Sequence, residues 1–251
     1  WRAPMDNDRN IRGKWEHFGF RDATVNCYST RLADVGTKKA AIIADISLGA
    51  APARVILKAS VKYTIFATGE LRVSCDVKVG DNQPFLPRFG LEFVLPEQSE
   101  NLRYFGYGPN ESYCDKNLSS RVGEFDTTVS ENFQQYVMPQ ENSAHFGTKW
   151  VMVSTIAGHG LLVTGSGNDF SFNASHYSTK QLTEAQHDYE LVPSKETYLN
   201  IDYKQSGSGS NSCGPGLDPK YQFNEKEFNF TFKIKPVFAN DIDPYREIYK
   251  K

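Results

Sequence analysis

The sequence predicts an all-β chain arranged as a large antiparallel sandwich or barrel, and three observations carry that expectation. Apolar and polar residues alternate with period two over several runs, helical periodicity is scarce, and nothing alternates strand with helix as a parallel fold must. In order along the chain, "VKYTIF" and "LRVSCDVKV" flank "ATGE", so residues 61–79 read as a hairpin with Gly69 in its turn. In the second run Leu71, Val73, Cys75, Val77 and Val79 alternate with Arg72, Ser74, Asp76 and Lys78, which places Cys75 on a core face. "KWVMVSTIAGHGLLVTG", residues 149–165, has two apolar runs around a predicted turn containing Gly158 and His159. In "YSTKQLTEAQH", Ser178 and Gln181 have capping-box spacing and predict about two turns of helix. "FNFTFKIK" alternates Phe228, Phe230, Phe232 and Ile234 with polar residues and predicts a half-buried strand. One or two short helices at most are expected beside the strands.

With 251 residues the chain can bury a sizeable core, and no long linker or fixed-period repeat divides it, so residues 1–251 are expected to form one domain. The apolar content of 39% and charged content of 23% are those of a globular protein. A net charge of −2 with dispersed Lys and Arg offers no basic stripe for nucleic acid. No run of eighteen apolar residues is present, so no membrane helix is predicted. The opening "WRAPMDND" reads as the start of a piece cut from a longer polypeptide, and localisation is not legible from it. Cys27, Cys75, Cys114 and Cys213 are widely spaced, which argues against a zinc ribbon or redox pair and for mostly buried free thiols.

Sugar hydrolysis needs two carboxylates flanking the scissile bond. Glu111 and Glu225 each follow an Asn, as the acid of many barrel glycosidases does, but no barrel alternation surrounds them, and turn or edge positions are expected. His17, His145, His159, His176 and His187 show no metal-ligand spacing. The glycine-serine runs at 165–167 and 207–209 lack the spacing of a nucleophile elbow. The sequons at Asn173 and Asn229 carry no expectation of modification. Seventeen Phe, thirteen Tyr and three Trp make a sugar-facing surface conceivable, although β cores are rich in such rings anyway. Asp6, Asn7 and Asp8 form a polar cluster able to meet hydroxyls or a cation, with a self-bonded turn the favoured reading. The run "GSGSNSCGPG", residues 207–216, has a linker's composition, but a linker does not account for its thiol.

Five segments occur in a telling order: "WRAPMDND" at 1–8, "YFGYGPNESYCDK" at 104–116, "QQYVMPQENSAHFGTKW" at 134–150, "FSFNASHYSTKQL" at 170–182 and "YLNID" at 198–202. Together they resemble the C-terminal, small-chain domain of bacterial β-galactosidases of glycoside hydrolase family 2, over nearly the whole chain. The resemblance implies a galactose mutarotase-like supersandwich. It also implies catalytic glutamates on a separate (β/α)8 barrel of a parent chain that uses Mg2+ and Na+ ligated mainly from elsewhere, so no cofactor is expected in this fragment. The loop after "LNID" reaches the sugar site in the family, which makes Asn211, Ser212 and Cys213 the candidate rim residues. Some members carry a Trp where Cys213 stands, and Lys116 stands where an Arg is common. Gly106, Gly108 and Pro109 read as a backbone turn, with Glu111, Tyr113 and Asp115 as supporting or interface groups.

The expected function is therefore an accessory domain of a retaining β-galactosidase, inactive alone, which completes the substrate rim and supports assembly with the barrel and with further subunits. A free-standing aldose epimerase-like or carbohydrate-binding domain is the alternative, and a purely architectural domain a third.

Overall fold

The computed structural model describes residues 1–50, 54–210 and 214–249. After a 3₁₀ turn at Asp6–Asp8 comes helix α1 (Arg12–His17), then strands β1 (Thr24–Ala33), β2 (Lys39–Ala50), β3 (Arg54–Phe66) and β4 (Leu71–Val79). The middle of the chain holds β5 (Arg88–Leu95), β6 (Asn101–Gly108), β7 (Arg121–Thr128), α2 (Val129–Asn132), β8 (His145–Thr148) and β9 (Trp150–Ser154). The remainder holds β10 (His159–Gly165), β11 (Phe170–Ser175), α3 (Thr179–Glu184), β12 (Thr197–Gln205), β13 (Glu227–Phe238) and α4 (Pro244–Tyr249).

Two antiparallel sheets result. The larger runs β1-β2-β3-β4-β13-β10-β9-β6-β7 and the smaller β5-β12-β11-β8. The predicted alternation is what joins them. Pairing of β4 with β13 sets Val73, Cys75 and Val77 opposite Phe232, Phe230 and Phe228. That row faces Leu199, Ile201 and Phe172 of the small sheet in the main core. Burying each such side chain contributes about 2–3 kcal/mol. Every residue of β9 is buried, because Val151 and Val153 face the core while Trp150 and Met152 pack in a second apolar cluster with Leu162, Ile242 and Ile248. β1 shows the opposite: nine of its ten residues are exposed.

The hairpins at 61–79 and 149–165 form as expected, and α3 carries the predicted Ser178–Gln181 capping box. Three details differ. There are four short α-helices among the described residues, each of four or six residues. Helices this short span too few turns to leave a periodic trace, and tertiary docking holds them. His159 is not in the turn but is the first residue of β10, paired with Phe238; Gly158, at φ +87°, takes the turn's left-handed position. Gly106 and Gly108 are strand residues of β6, not turn residues. A Cβ on Gly106 would lie 2.6 Å from Thr148 Oγ1, and one on Gly108 2.3 Å from Tyr104 Oη, so close packing is what requires glycine there.

Of the three described thiols, Cys75 is buried, as its place in β4 predicted, and burial pushes its pKa up to about 12; Cys114 is half-buried, and Cys27 is exposed where a buried thiol was expected. Cys27 is exposed because β1 has no covering layer. Asn173 is buried in β11 and Asn229 lies in β13.

Candidate functional site

The loop that follows β12 begins as a clamped backbone rather than as a linker. Ser206 N–H donates to Pro87 O and Gly207 N–H to Tyr221 O, both at 2.9 Å. The next three N–H groups, of Ser208, Gly209 and Ser210, all donate to the Asp115 carboxylate, at 2.7, 2.9 and 2.9 Å. The carbonyls are met from the other side. Arg2 donates to Ser206 O at 2.6 Å and to Gly207 O at 3.2 Å, while Asn7 Nδ2 donates to Ser208 O. Complete pairing of this kind is what a buried backbone demands.

Glycine is needed for the clamp to close. A Cβ on Gly207 would lie 2.5 Å from Asp115 Oδ2, and one on Gly209 3.2 Å from Lys116 Cβ. Arg2 is fully buried and is held by Asp8 through Nε–Oδ2 at 3.0 Å and Nη2–Oδ1 at 2.7 Å. Asp8 is thus a structural anchor, and its Oδ2 also accepts from Met5 N–H, the self-bonded turn expected of the "DND" cluster. Burial pushes the Asp115 carboxyl up, but the three N–H donors outweigh it and hold its pKa below the usual carboxylate value. Asp115 is therefore anionic in its clamping role.

Beside the clamp lies a cavity of about 390 Å³. It brings together Asp6, Asn7, Glu111 and Tyr113 of the candidates with Ser208 and Gly209 at the start of the loop. The β6 end of the large sheet delivers Glu111 and Tyr113, the β12 end of the small sheet delivers Ser208, and the N-terminal segment closes the gap. Glu111 lies in the loop just after β6, off the strands as its context suggested, but it is buried, at 7% exposed. Its Oε1 accepts from Lys116 at 2.5 Å and from Tyr136, and its Oε2 accepts from Ser143 N–H at 2.9 Å. Glu225 does occupy the more open position expected, paired with Lys204 and Tyr203.

Asn211, Ser212 and Cys213 lie outside the described residues. Gly106, Gly108 and Pro109 do not line the cavity; they shape the strand and turn that lead to it. Among the described residues no three His, Cys, Asp or Glu side chains converge to hold a metal, so no step is assigned to Mg2+ or Na+ in this chain.

Behind the cavity, Arg88 of β5 bridges two buried carboxylates. It donates to both Glu141 oxygens at 3.0 and 3.1 Å and to Asp202 Oδ1 at 3.1 Å. Asn173 donates to Glu141 at 2.8 Å and Gln205 to Asp202 at 2.9 Å, so the ions sit in a bonded network. Sequence reasoning assigned no role to Arg88, Tyr136, Gln140, Glu141 or Ser208. These residues gain theirs from partners 20 to 201 positions away, and short-range spacing carries no such signal.

Comparison with known proteins adds three findings. The family described as "Beta galactosidase small chain" matches residues 1–234. β-Galactosidase of Staphylococcus xylosus is 39% identical over 237 residues, covering 94% of this chain and 24% of that protein. The enzyme of Actinobacillus pleuropneumoniae is 40% identical over 240 residues, covering 93% and 23%. The chain thus spans about a quarter of the length of these relatives. A solved galactose 1-epimerase from Lactobacillus acidophilus NCFM superposes with a TM-score of 0.42 at 12% identity, covering 83% of this chain and 66% of that one.

Proposed function

Because this chain belongs to the β-galactosidase small-chain family, we propose that it works as the C-terminal accessory part of an enzyme that hydrolyses terminal β-D-galactosides with retention. The catalytic glutamates, the (β/α)8 barrel and the Mg2+ and Na+ sites belong to the remainder of that enzyme. This chain supplies residues 207–216 to the rim of the sugar pocket and supports the assembly of domains and subunits. The observation that carries the rim role is the clamp: Arg2 and Asn7 hold the carbonyls of residues 206–208, and Asp115 holds the N–H groups of residues 208–210. A loop meant only to connect needs no such investment, whereas a loop that presents residues 211–213 to a ligand needs a fixed base.

The test is kcat/KM for lactose and for an aryl β-galactoside, measured on the assembled enzyme with wild-type chain and with Cys213→Ala, alongside the 251-residue chain alone. The expected result is turnover by the assembled enzyme, none by the chain alone, and a loss in the variant that is larger for lactose. Robust hydrolysis by the chain alone would refute the accessory role. Equal values for both substrates would remove Cys213 from the rim.

A further inference from the structure

The apolar face of the large sheet continues past the strands that the small sheet covers. Register carries it outward strand by strand: buried Cys75 of β4 stands opposite Val61 of β3, Val61 opposite Ala44 of β2, and Ala44 opposite Thr30 of β1. Cross-strand partners share a face. On this inner face β1 and β2 set Val25 beside Leu48, Cys27 beside Ile46 and Leu32 beside Ile42, and Thr30 is the one polar residue of these four pairs. The other face of β1 carries Asn26, Ser29 and Arg31.

Alternation of this kind belongs to a strand with one face covered, yet here the apolar side is open. Val25 is 64%, Leu32 72% and Ile42 40% exposed. Between this face and β5 lies a cavity of about 520 Å³, walled by Val25, Ile46 and Leu48 of the large sheet and by Phe89 and Leu91 of β5. β1 is also the terminal strand of its sheet. Exposed edges are commonly guarded by charges, and β1 has only Arg31, on the opposite face. A contiguous apolar surface of this kind marks a place of interaction.

Two observations identify what covers it. The chain spans about a quarter of the length of its β-galactosidase relatives, so most of such an enzyme lies outside it. Trp1 lines the same cavity, so polypeptide joined to its amino end enters the molecule at this face. We propose that the inner face of β1 and β2 is where the preceding part of the parent β-galactosidase docks, its apolar side chains covering Val25, Leu32 and Ile42 and entering the cavity beside Trp1. The inference rests on the accessory role proposed above and names the surface through which that role is exercised.

The experiment follows amide hydrogen exchange by mass spectrometry in the 251-residue chain and in the assembled enzyme. Peptides covering β1 and β2, residues 24–33 and 39–50, are expected to exchange at least about tenfold more slowly in the enzyme. Leu32→Lys is compared with Arg31→Ala, its neighbour on the opposite face. In the chain alone each should leave the Tm within about 2 °C of wild type, because exposed sites tolerate substitution. In the assembled enzyme Leu32→Lys should return β1 to fast exchange, since a covered apolar face does not accommodate an unpaired charge, and Arg31→Ala should not. Equal exchange of β1 and β2 in the two wild-type proteins would overturn the proposal. So would protection already present in the chain alone that fades on dilution, which would assign the face to a second copy. A Tm several degrees lower for Leu32→Lys in the chain alone would also overturn it, because the residue would then serve this chain's own fold. Turnover of lactose by the chain alone, the result that refutes the accessory role, is measured separately, so the two failures are distinguishable.

Discussion

Asp115 shows how one side chain converts a glycine-serine run into a fixed feature. Its two oxygens accept three consecutive N–H groups, an arrangement only an acceptor-only group satisfies in full. In Asp115→Asn one oxygen becomes an NH2 that faces donors, and the charge that strengthens the bonds is lost. A destabilisation of about 2 kcal/mol is expected in urea unfolding. Faster proteolysis confined to residues 207–216 should accompany it. A variant as stable and as protease-resistant as wild type would show that Arg2 and Asn7 hold the loop by themselves. At this scale the sequence was partly legible. The glycines and Asp115 were visible as candidates, but a carboxylate 93 to 95 positions from its donors is invisible to any local pattern.

Strand β6 carries its information as small residues. Gly108 faces Tyr104 Oη and the Phe125 ring, at 2.3 and 2.8 Å from where a Cβ would stand, and ordinary contact distances forbid both. Gly123, in the neighbouring strand β7, has its nearest atom at 3.4 Å. Gly108→Ala is expected to cost about 1–3 kcal/mol through overpacking, whereas Gly123→Ala should stay within about 0.5 kcal/mol. Paired thermal melts would show the contrast as a drop of several degrees for the first and little change for the second. Equal melts would mean that Tyr104 and Phe125 shift aside freely. The strands themselves were legible because alternation of period two is a local property. The misreading of Gly106 and Gly108 as a turn came from composition, since a glycine demanded by a neighbouring ring looks like one demanded by a turn.

At the scale of the molecule, stacking of a four-stranded sheet on a nine-stranded one decides which groups lose water. His145 is the sharpest case. It is fully buried, with Nδ1 3.0 Å from Tyr107 O and Nε2 2.7 Å from Asn132 Oδ1. Two acceptors favour the charged ring, but desolvation outweighs them and lowers its pKa to about 4 from the ordinary 6.5. The folded chain therefore keeps this imidazole neutral while the unfolded chain protonates it below about pH 6.5. The associated stability is present in full above about pH 6.5 and is lost as pH falls towards 4. From pH 7.5 to pH 4.5 the loss amounts to about 2–3 kcal/mol. His145→Gln cannot take up that proton, so its stability should fall less over the same interval in parallel urea titrations. Equal slopes would mean that carboxylates alone set the acid limit.

Local chemistry alone determined the strand class, the two hairpins and the Ser178–Gln181 cap, because each depends on residues within about ten positions of one another. It also singled out Asp6, Asn7 and Asp8 as a polar cluster, whereas Glu111, Tyr113 and Asp115 became candidates as supporting groups only through the family resemblance. Only the tertiary structure decided that Asp8 anchors Arg2, that Asp115 holds the loop after β12, and that Glu111 is buried in its own ion pair. Only it placed Tyr113 and Ser208 around one cavity. A hydrogen bond or a cavity wall is set by distance in space, and when two sheets fold against each other that distance is unrelated to separation along the chain.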